Sequence, residues 1–406
     1  MNWLKHNNDS WKKKIALFLT SQNLSIFGSS VVSFSIIWFI TVETSSGKWV
    51  TAFTICALLP QVLISLWAGV WADRYNRKTL IMVSDGLIAV ITLGLALAFW
   101  AGYQRLELLL AVSFFRSVCA GIQMPAVMAV FPQIVPVERL TKVQGINQTL
   151  NSVLMLLSPA VGGVLLGSLG IAWTLLVDVI TALLAVLILS FINIEKVVRS
   201  GEVATVFNDL RQGIGYAFSH KLLRRLLICY GISYILITPA AFLTPLFVER
   251  VFGGDIWRLT ANEMVWTVGS LIGGVFVSLR GEFKDKISTI SICLVSFGVT
   301  FALLGVSPNF VIYLAIMGAA GVFMPVIATA ETVLIQEKVE TEMMGRVFSL
   351  LQIITGGAMP FAILFFGPLA DIVPISLILL VSGVLLALTG VVFQVTTKRA
   401  GLIEVK

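Results

Sequence analysis

The chain has 406 residues, 58% of them hydrophobic and only 12% charged, with a formal net charge of +7. A soluble globular chain carries about a quarter charged residues, so this composition excludes an ordinary soluble domain and points to a membrane. The basic surplus calls for no nucleic acid, because bases beside a bilayer meet anionic headgroups.

Apolar runs of about 20 residues, each able to cross a hydrocarbon core of roughly 30 Å, recur along nearly the whole length. Only helices repeat this way without leaving backbone groups unpaired in lipid, and a membrane barrel would alternate polar and apolar residues. The runs predict twelve spans at 15–42, 49–71, 78–101, 107–131, 143–167, 171–193, 223–247, 261–279, 287–306, 310–336, 344–369 and 374–396. The fold expected is an all-α membrane protein. The first run has no small-residue cleavage site after it and reads as a retained span.

Twenty-three of the 28 lysines and arginines fall in one alternate set of connections, four in the other, and Arg116 lies within a span. Such a bias places the richer set, and with it both termini, on the cytoplasmic side. The four cysteines lie within spans without paired spacing, and His6 and His220 are far apart, so no metal site or cofactor is expected.

In chain order, the first span carries Gln22, Ser25, Ser29 and Ser33 at helical spacing. After the second comes "GVWADRYNRKTL", residues 69–80, which sets Asp73, Arg74, Arg77 and Lys78 between two apolar runs. A tight turn there would hold Asp73 at a helix start, where an anion is favoured, while the bases pair with acids at other helix ends such as Asp85 and Glu138. Together with Gly69 these residues read as a latch. Plain anchoring of the cytoplasmic face explains the bases but gives no role to Asp73 or Gly69.

The fourth span bears Ser113, Arg116, Ala120 and Gln123. Arg116 sits about nine residues from the span's outer end, roughly 13 Å at 1.5 Å per residue, and an arginine at such depth costs about 2.5–3.5 kcal/mol unless it faces a partner, water or substrate. Asp178 of the sixth span has similar depth. A neighbouring arginine favours its ionised form and burial its neutral form, a balance suited to taking and releasing a proton; a static ion pair is the plainer reading. Glu331, in the tenth span, is the third proton-coupling candidate, against a role in packing alone.

Between the sixth and seventh spans lies the longest polar stretch, in which 206–217 has the spacing of a surface amphipathic helix. The chain therefore divides into 1–193, a linker 194–222, and 223–406. "AGIQMPAVMAV" at 120–130 matches "AGVFMPVIATA" at 320–330, and Pro159 has Pro360 as its counterpart. Parallel repeats of this kind characterise transporters with a site between pseudo-symmetric halves.

These motifs carry a resemblance. The G-x-x-x-D-R-x-x-R-K loop resembles the signature of the major facilitator superfamily, and "SPAVGG" at 158–163 is similar to the helix-5 element of its antiporters, with Pro159, Gly162 and Gly163 in the matching places. Arg116 is similar to the arginine of the helix-4 signature, although Ala120 stands where a glycine is expected. "FFRSVCAGIQMPA", Asp178 in "LLVDVITALL" and "MGRVFSLL" bring the chain nearest to the macrolide-efflux group of bacterial drug:proton antiporters. The resemblance implies two six-helix halves and a central cavity lined by helices 1, 4, 7 and 10. Gln22, Ser25, Ser29, Ser33 and Gln123 would then face that cavity, with Tyr230, Ser233, Tyr234 and Thr238 of helix 7.

Pro159 would bend its helix, and Gly162 with Gly163 would let a helix of the other half approach. Few fixed charges and much apolar surface suit an amphipathic small molecule better than a sugar. Neither G-x-S-x-G nor G-x-x-x-x-G-K-[ST] occurs, so neither a hydrolase nor an ATP-binding pump is expected. The expected protein is a non-enzymatic exporter of the bacterial cytoplasmic membrane, with protons, lipid and substrate as partners. A separate ATP-binding partner, a siderophore or tetracycline substrate, and a nutrient carrier of the same fold remain alternatives.

Overall fold

The computed structural model of the protein describes residues 3–136, 139–194, 214–280, 283 and 285–399. Within these, side chains are described except at 3–10, 66, 69, 70, 73, 141, 142, 341, 342, 344–346, 348, 349, 352 and 355. The helices are α1 (Trp3–Thr44), α2 (Gly47–Arg74), α3 (Arg77–Trp100), α4 (Leu106–Ile134), α5 (Leu140–Leu169), α6 (Ile171–Ser190), α7 (Lys221–Phe242), α8 (Thr244–Phe252), α9 (Ile256–Arg280), α10 (Lys286–Gly305), α11 (Phe310–Lys338), α12 (Thr341–Leu369) and α13 (Ile375–Arg399). Among the described residues eleven helices are long and apolar enough to cross a membrane, and in α12 the apolar stretch found is Gly356–Leu369.

Helix starts follow from short polar residues in the connections. Asn76 accepts from the Lys78 and Thr79 amides at the head of α3, Asp285 from the Ser288 amide at α10, and Asn309 from the Ile312 amide at α11. Each cap satisfies donors that the first helical turn leaves orphaned.

The expected span 223–247 is broken. α7 ends at Phe242 and α8 restarts at Thr244, with Pro239 in the last turn of α7 and Pro245 in the first turn of α8. A proline cannot donate to the turn before it, whereas it fits well at a helix start. The apolar run therefore continues through a break that hydrophobicity alone does not register. The expected surface helix over 206–217 falls mostly outside the described residues, although 214–219 is helical.

The chain forms two compact units, Met1–Thr44 with Ala52–Gly201, and Ser45–Thr51 with Glu202–Lys406. In the first, α1 packs on α5 and α6, and α3 on α4 and α6; in the second, α7 packs on α12 and α13, and α10 on α11 and α13. The pattern is the same under the equivalence of α1 with α7 and α6 with α13. The repeated prolines fall on equivalent helices, Pro125 in α4 and Pro325 in α11, Pro159 in α5 and Pro360 in α12.

Ser45–Thr51 groups with the second unit for a visible reason. Asp371, between α12 and α13, accepts from the Gly47 amide at 2.6 Å, the Lys48 amide at 3.0 Å and Ser46 Oγ at 3.0 Å. Arg250 Nη2 donates to the same carboxylate at 2.8 Å, and Ser45 Oγ donates to Glu249 at 2.5 Å. Partial burial pushes the Asp371 carboxyl up, but the Gly47 amide, Arg250, the Lys48 amide and Ser46 together hold it below the usual carboxylate range.

Candidate functional site

The first unit holds a half-open cavity of about 470 Å³, lined on α1 by Gln22, Ser25, Ser29 and Ser33 and on α4 by Ser113, Arg116, Ala120 and Gln123. Both stripes singled out in the sequence therefore face one space. Phe34, Phe53, Met124, Met128 and Phe131 supply apolar wall. Phe131 also meets Phe18 edge-on at 5.4 Å within a buried cluster that includes Ile15, Ile81, Ile134 and Leu189. That cluster closes the end of the unit at which α4 and α6 finish.

Arg116 and Asp178 are 7% and 0% exposed and form an ion pair. Arg116 Nη1 also donates to Thr92 Oγ1, which donates in turn to Asp178 Oδ2 at 3.1 Å, and Ser29 Oγ donates to Asp178 Oδ1 at 2.9 Å. Four helices thus contribute to one network, and every partner of the carboxylate is a donor. A fully bonded buried pair of this kind tolerates desolvation that a lone charge would not.

Gly28 allows the meeting of α1 and α6. A Cβ there would stand 1.9 Å from Thr181 Oγ1 and 3.0 Å from the Asp178 Cα, so only glycine lets the helices approach closely enough for Ser29 to reach the carboxylate.

Asp85 is not at a helix end beside the basic connection. It lies eight residues after Arg77, roughly 12 Å along α3 at 1.5 Å per residue, and is 1% exposed. Ser25 Oγ and Gln123 Nε2 donate to its Oδ1 at 2.6 and 2.9 Å, and its Oδ2 has no hydrogen-bond partner among the described residues. The sequence reading set it at a helix end because the bases at 74, 77 and 78 draw attention to that side, and the hydrophobic run hides one acid.

Of the other latch residues, Lys78 Nζ donates to the Ser190 and Ile192 carbonyls at 2.8 Å, satisfying groups at the end of α6, and Arg77 donates to the Ala72 and Ala129 carbonyls. Arg74 is exposed. Gly69 and Asp73 lie in the last turns of α2, but their surroundings, like Glu138, are outside the described residues.

Pro159 is inside α5 as expected. Gly162 faces the Val31 carbonyl and Ser35 Oγ of α1, both at 3.2 Å from a notional Cβ, so its nearest neighbours lie on α1 of its own unit. Gly163 is buried.

In the second unit Tyr230, Ser233 and Thr238 are buried on α7, with Tyr234 partly so. Glu331 of α11 is 7% exposed and near enough to Tyr230 to interact with it, yet neither Tyr230 Oη nor Glu331 Oε1 has a hydrogen-bond partner among the described residues. A further acid, Glu263 on α9, accepts from Asn262, whose Oδ1 accepts from Tyr313 Oη at 2.8 Å.

Sequence reasoning missed Gln61, Asn147 and Asn151, which also line the first unit's cavity. The last two are four apart on α5, a spacing that places them on one face. Asn151 Oδ1 is buried without a partner among the described residues.

A sequence model of the Major Facilitator Superfamily matches residues 18–363. The chain is 29% identical over 395 residues to Macrolide efflux protein A of Streptococcus pyogenes, covering 96% of both chains. It is 23% identical to the Staphyloferrin A transporter of Staphylococcus aureus, over 87% of this chain and 89% of that one. A solved structure of a bacterial homologue of the iron transporter ferroportin, in its inward-facing state, superposes with a TM-score of 0.72 at 15% identity, covering 94% of this chain and 98% of that one. With helices of membrane-spanning length, this makes the protein a multi-pass transporter of the bacterial plasma membrane. The chain belongs to the Major Facilitator Superfamily.

Proposed function

We propose that the protein is a secondary active exporter of amphipathic antibiotics of the macrolide type, driven by the proton gradient through alternating access of two six-helix halves. The observation that carries this reading is the first unit's cavity, where aromatic and methionine walls alternate with hydroxyls and amides around a buried ion pair. Apolar surface with few fixed polar groups binds large amphipathic molecules with loose geometric demands. Similarity over nearly the whole length to proteins named for macrolide efflux supports the substrate class.

In this reading both termini are cytoplasmic, Gly69, Asp73, Arg74, Arg77 and Lys78 form a latch on that side, and Arg116, Asp178 and Glu331 are candidates for coupling. Protons and membrane lipid are the partners besides the substrate. The likeness to a staphyloferrin A transporter favours a second reading, export of another compound such as a siderophore.

Expression in a pump-deficient bacterium separates the two. Raised resistance to erythromycin, abolished by an uncoupler, supports macrolide export. Unchanged susceptibility to macrolides, tetracyclines and dyes, with secretion of a siderophore restored, supports the second. Resistance that persists without a proton gradient and depends on a co-expressed ATP-binding protein would replace the proposed energy source.

A further inference from the structure

We propose that Asp85, and not Asp178, takes up the coupling proton in the first unit, and that Ser25 and Gln123 report its state to the cavity. The inference rests on proton-driven export as proposed above. It begins from charge balance. Among the described residues, the charged groups buried in the first unit are Arg116 on α4 and the two acids Asp178 on α6 and Asp85 on α3. Arg116 and Asp178 cancel, and Asp178 is saturated by Ser29, Thr92 and Arg116. Taking a proton there would break an ion pair and strand an arginine in the unit's interior, which is strongly unfavourable.

Asp85 has no such obligation. Among the described residues no cation is bonded to it, its Oδ2 is buried and unpartnered, and both of its donors sit on Oδ1. Among the described residues, the ionisable groups that act on it are Asp178 from α6 and the Cys119 thiol from α4, which Arg116 also faces, while α1 presents Ser25. Left ionised, the unit's interior carries one uncompensated negative charge, and a single proton on Oδ2 removes it. The step is a simple one: a proton from water on one side of the membrane forms an O–H bond at Oδ2, and the bond breaks to return it to water on the other side.

Ser25 and Gln123 both line the cavity and both donate to Asp85 Oδ1. While Asp85 is ionised these donors are committed to it. Once it is protonated the demand on them falls, and the hydroxyl and amide become available to a substrate acceptor. The side chains that wall Asp85 off thus change what the cavity offers, linking proton occupancy to substrate binding without direct contact between substrate and carboxyl.

The test uses the full chain in proteoliposomes, with erythromycin as probe. Asp85→Asn should lose the pH-gradient-driven accumulation that exceeds passive trapping in protein-free vesicles, while keeping erythromycin counterflow, an exchange that needs no net proton movement; retained counterflow also shows that the variant folds. Wild-type protein treated with dicyclohexylcarbodiimide, which modifies protonated carboxyls in apolar surroundings, should carry the adduct on Asp85 and not on Asp178 by peptide mass spectrometry. Gradient-driven accumulation by Asp85→Asn at the wild-type level overturns this inference alone, as does an adduct confined to Asp178. Wild-type protein that exchanges erythromycin but ignores the gradient overturns the proposed energy source and this inference with it.

Discussion

Ser29 on α1 reaches Asp178 on α6 at 2.9 Å because the residue before it, Gly28, has no side chain to hold the helices apart. Gly28→Val should therefore be among the more damaging substitutions in the first unit. Its Cβ would collide with Thr181 and press on the Asp178 backbone, and overpacking of this sort costs about 1–3 kcal/mol. The expected result is a lowered melting temperature in detergent and reduced transport. Gly94→Ala, where nothing lies within 4 Å of the new methyl, should instead be neutral or stabilising by up to about 1 kcal/mol. Equal melting temperatures for Gly28→Val and wild type would disprove the close-contact argument.

Arg116 and Asp178 should behave as a unit. Removing one partner leaves a buried charge unpaired, at a cost of about 3–5 kcal/mol, whereas removing both often costs little. Arg116→Met and Asp178→Leu should each destabilise the protein, and the double variant should recover most of the loss. Melting curves of the four proteins, read as a double-mutant cycle, check this directly. Additive losses would show that the two side chains do not support one another.

Much of this site was legible beforehand, for reasons that differ by residue. Arg116 and Asp178 stand out because charge in an apolar span is expensive, and similar depth was enough to pair them. The α1 and α4 stripes follow from helical spacing, and both reached the cavity. Asp85 was misplaced because a loop rich in bases attracts any nearby acid into its explanation, while nothing local reports that Ser25 and Gln123, 60 and 38 residues away, come to meet it. Gly162 shows a related limit. A small residue announces a close approach but not the helix that makes it, and the helix here is α1. The break at Leu243 was hidden because Pro239 and Pro245 interrupt hydrogen bonding without interrupting hydrophobicity.

Asp371 should make stability depend on acidity. Its carboxyl is held below the usual range in the folded protein, so its contribution is fully present above the unfolded carboxylate value and is lost as the pH falls through the lower folded value. Asp371→Asn keeps the shape but removes the charge facing Arg250 and the Gly47 and Lys48 amides. Wild type should melt above the variant at neutral pH, with the gap closing in acid. A gap that stays constant with pH would mean that the charge contributes nothing at this connection.

Direction and energy source meet in one experiment. In the proposed orientation the basic connections face outward in inverted vesicles, and the sequence contains no G-x-x-x-x-G-K-[ST] loop. Acidifying the lumen should therefore drive a lipophilic macrolide inward as protons leave through the carrier, and an uncoupler should stop accumulation while ATP is unchanged. Arg116→Met should accumulate far less, because an unpaired Asp178 would disturb the wall that Ser29 and Arg116 share. Vesicles without the protein should show only the passive trapping of the basic amine, and accumulation by the carrier is the excess over that control. Accumulation that survives collapse of both the pH and the electrical gradient, yet follows added ATP, would rule out proton exchange and place the energy source in a partner ATPase.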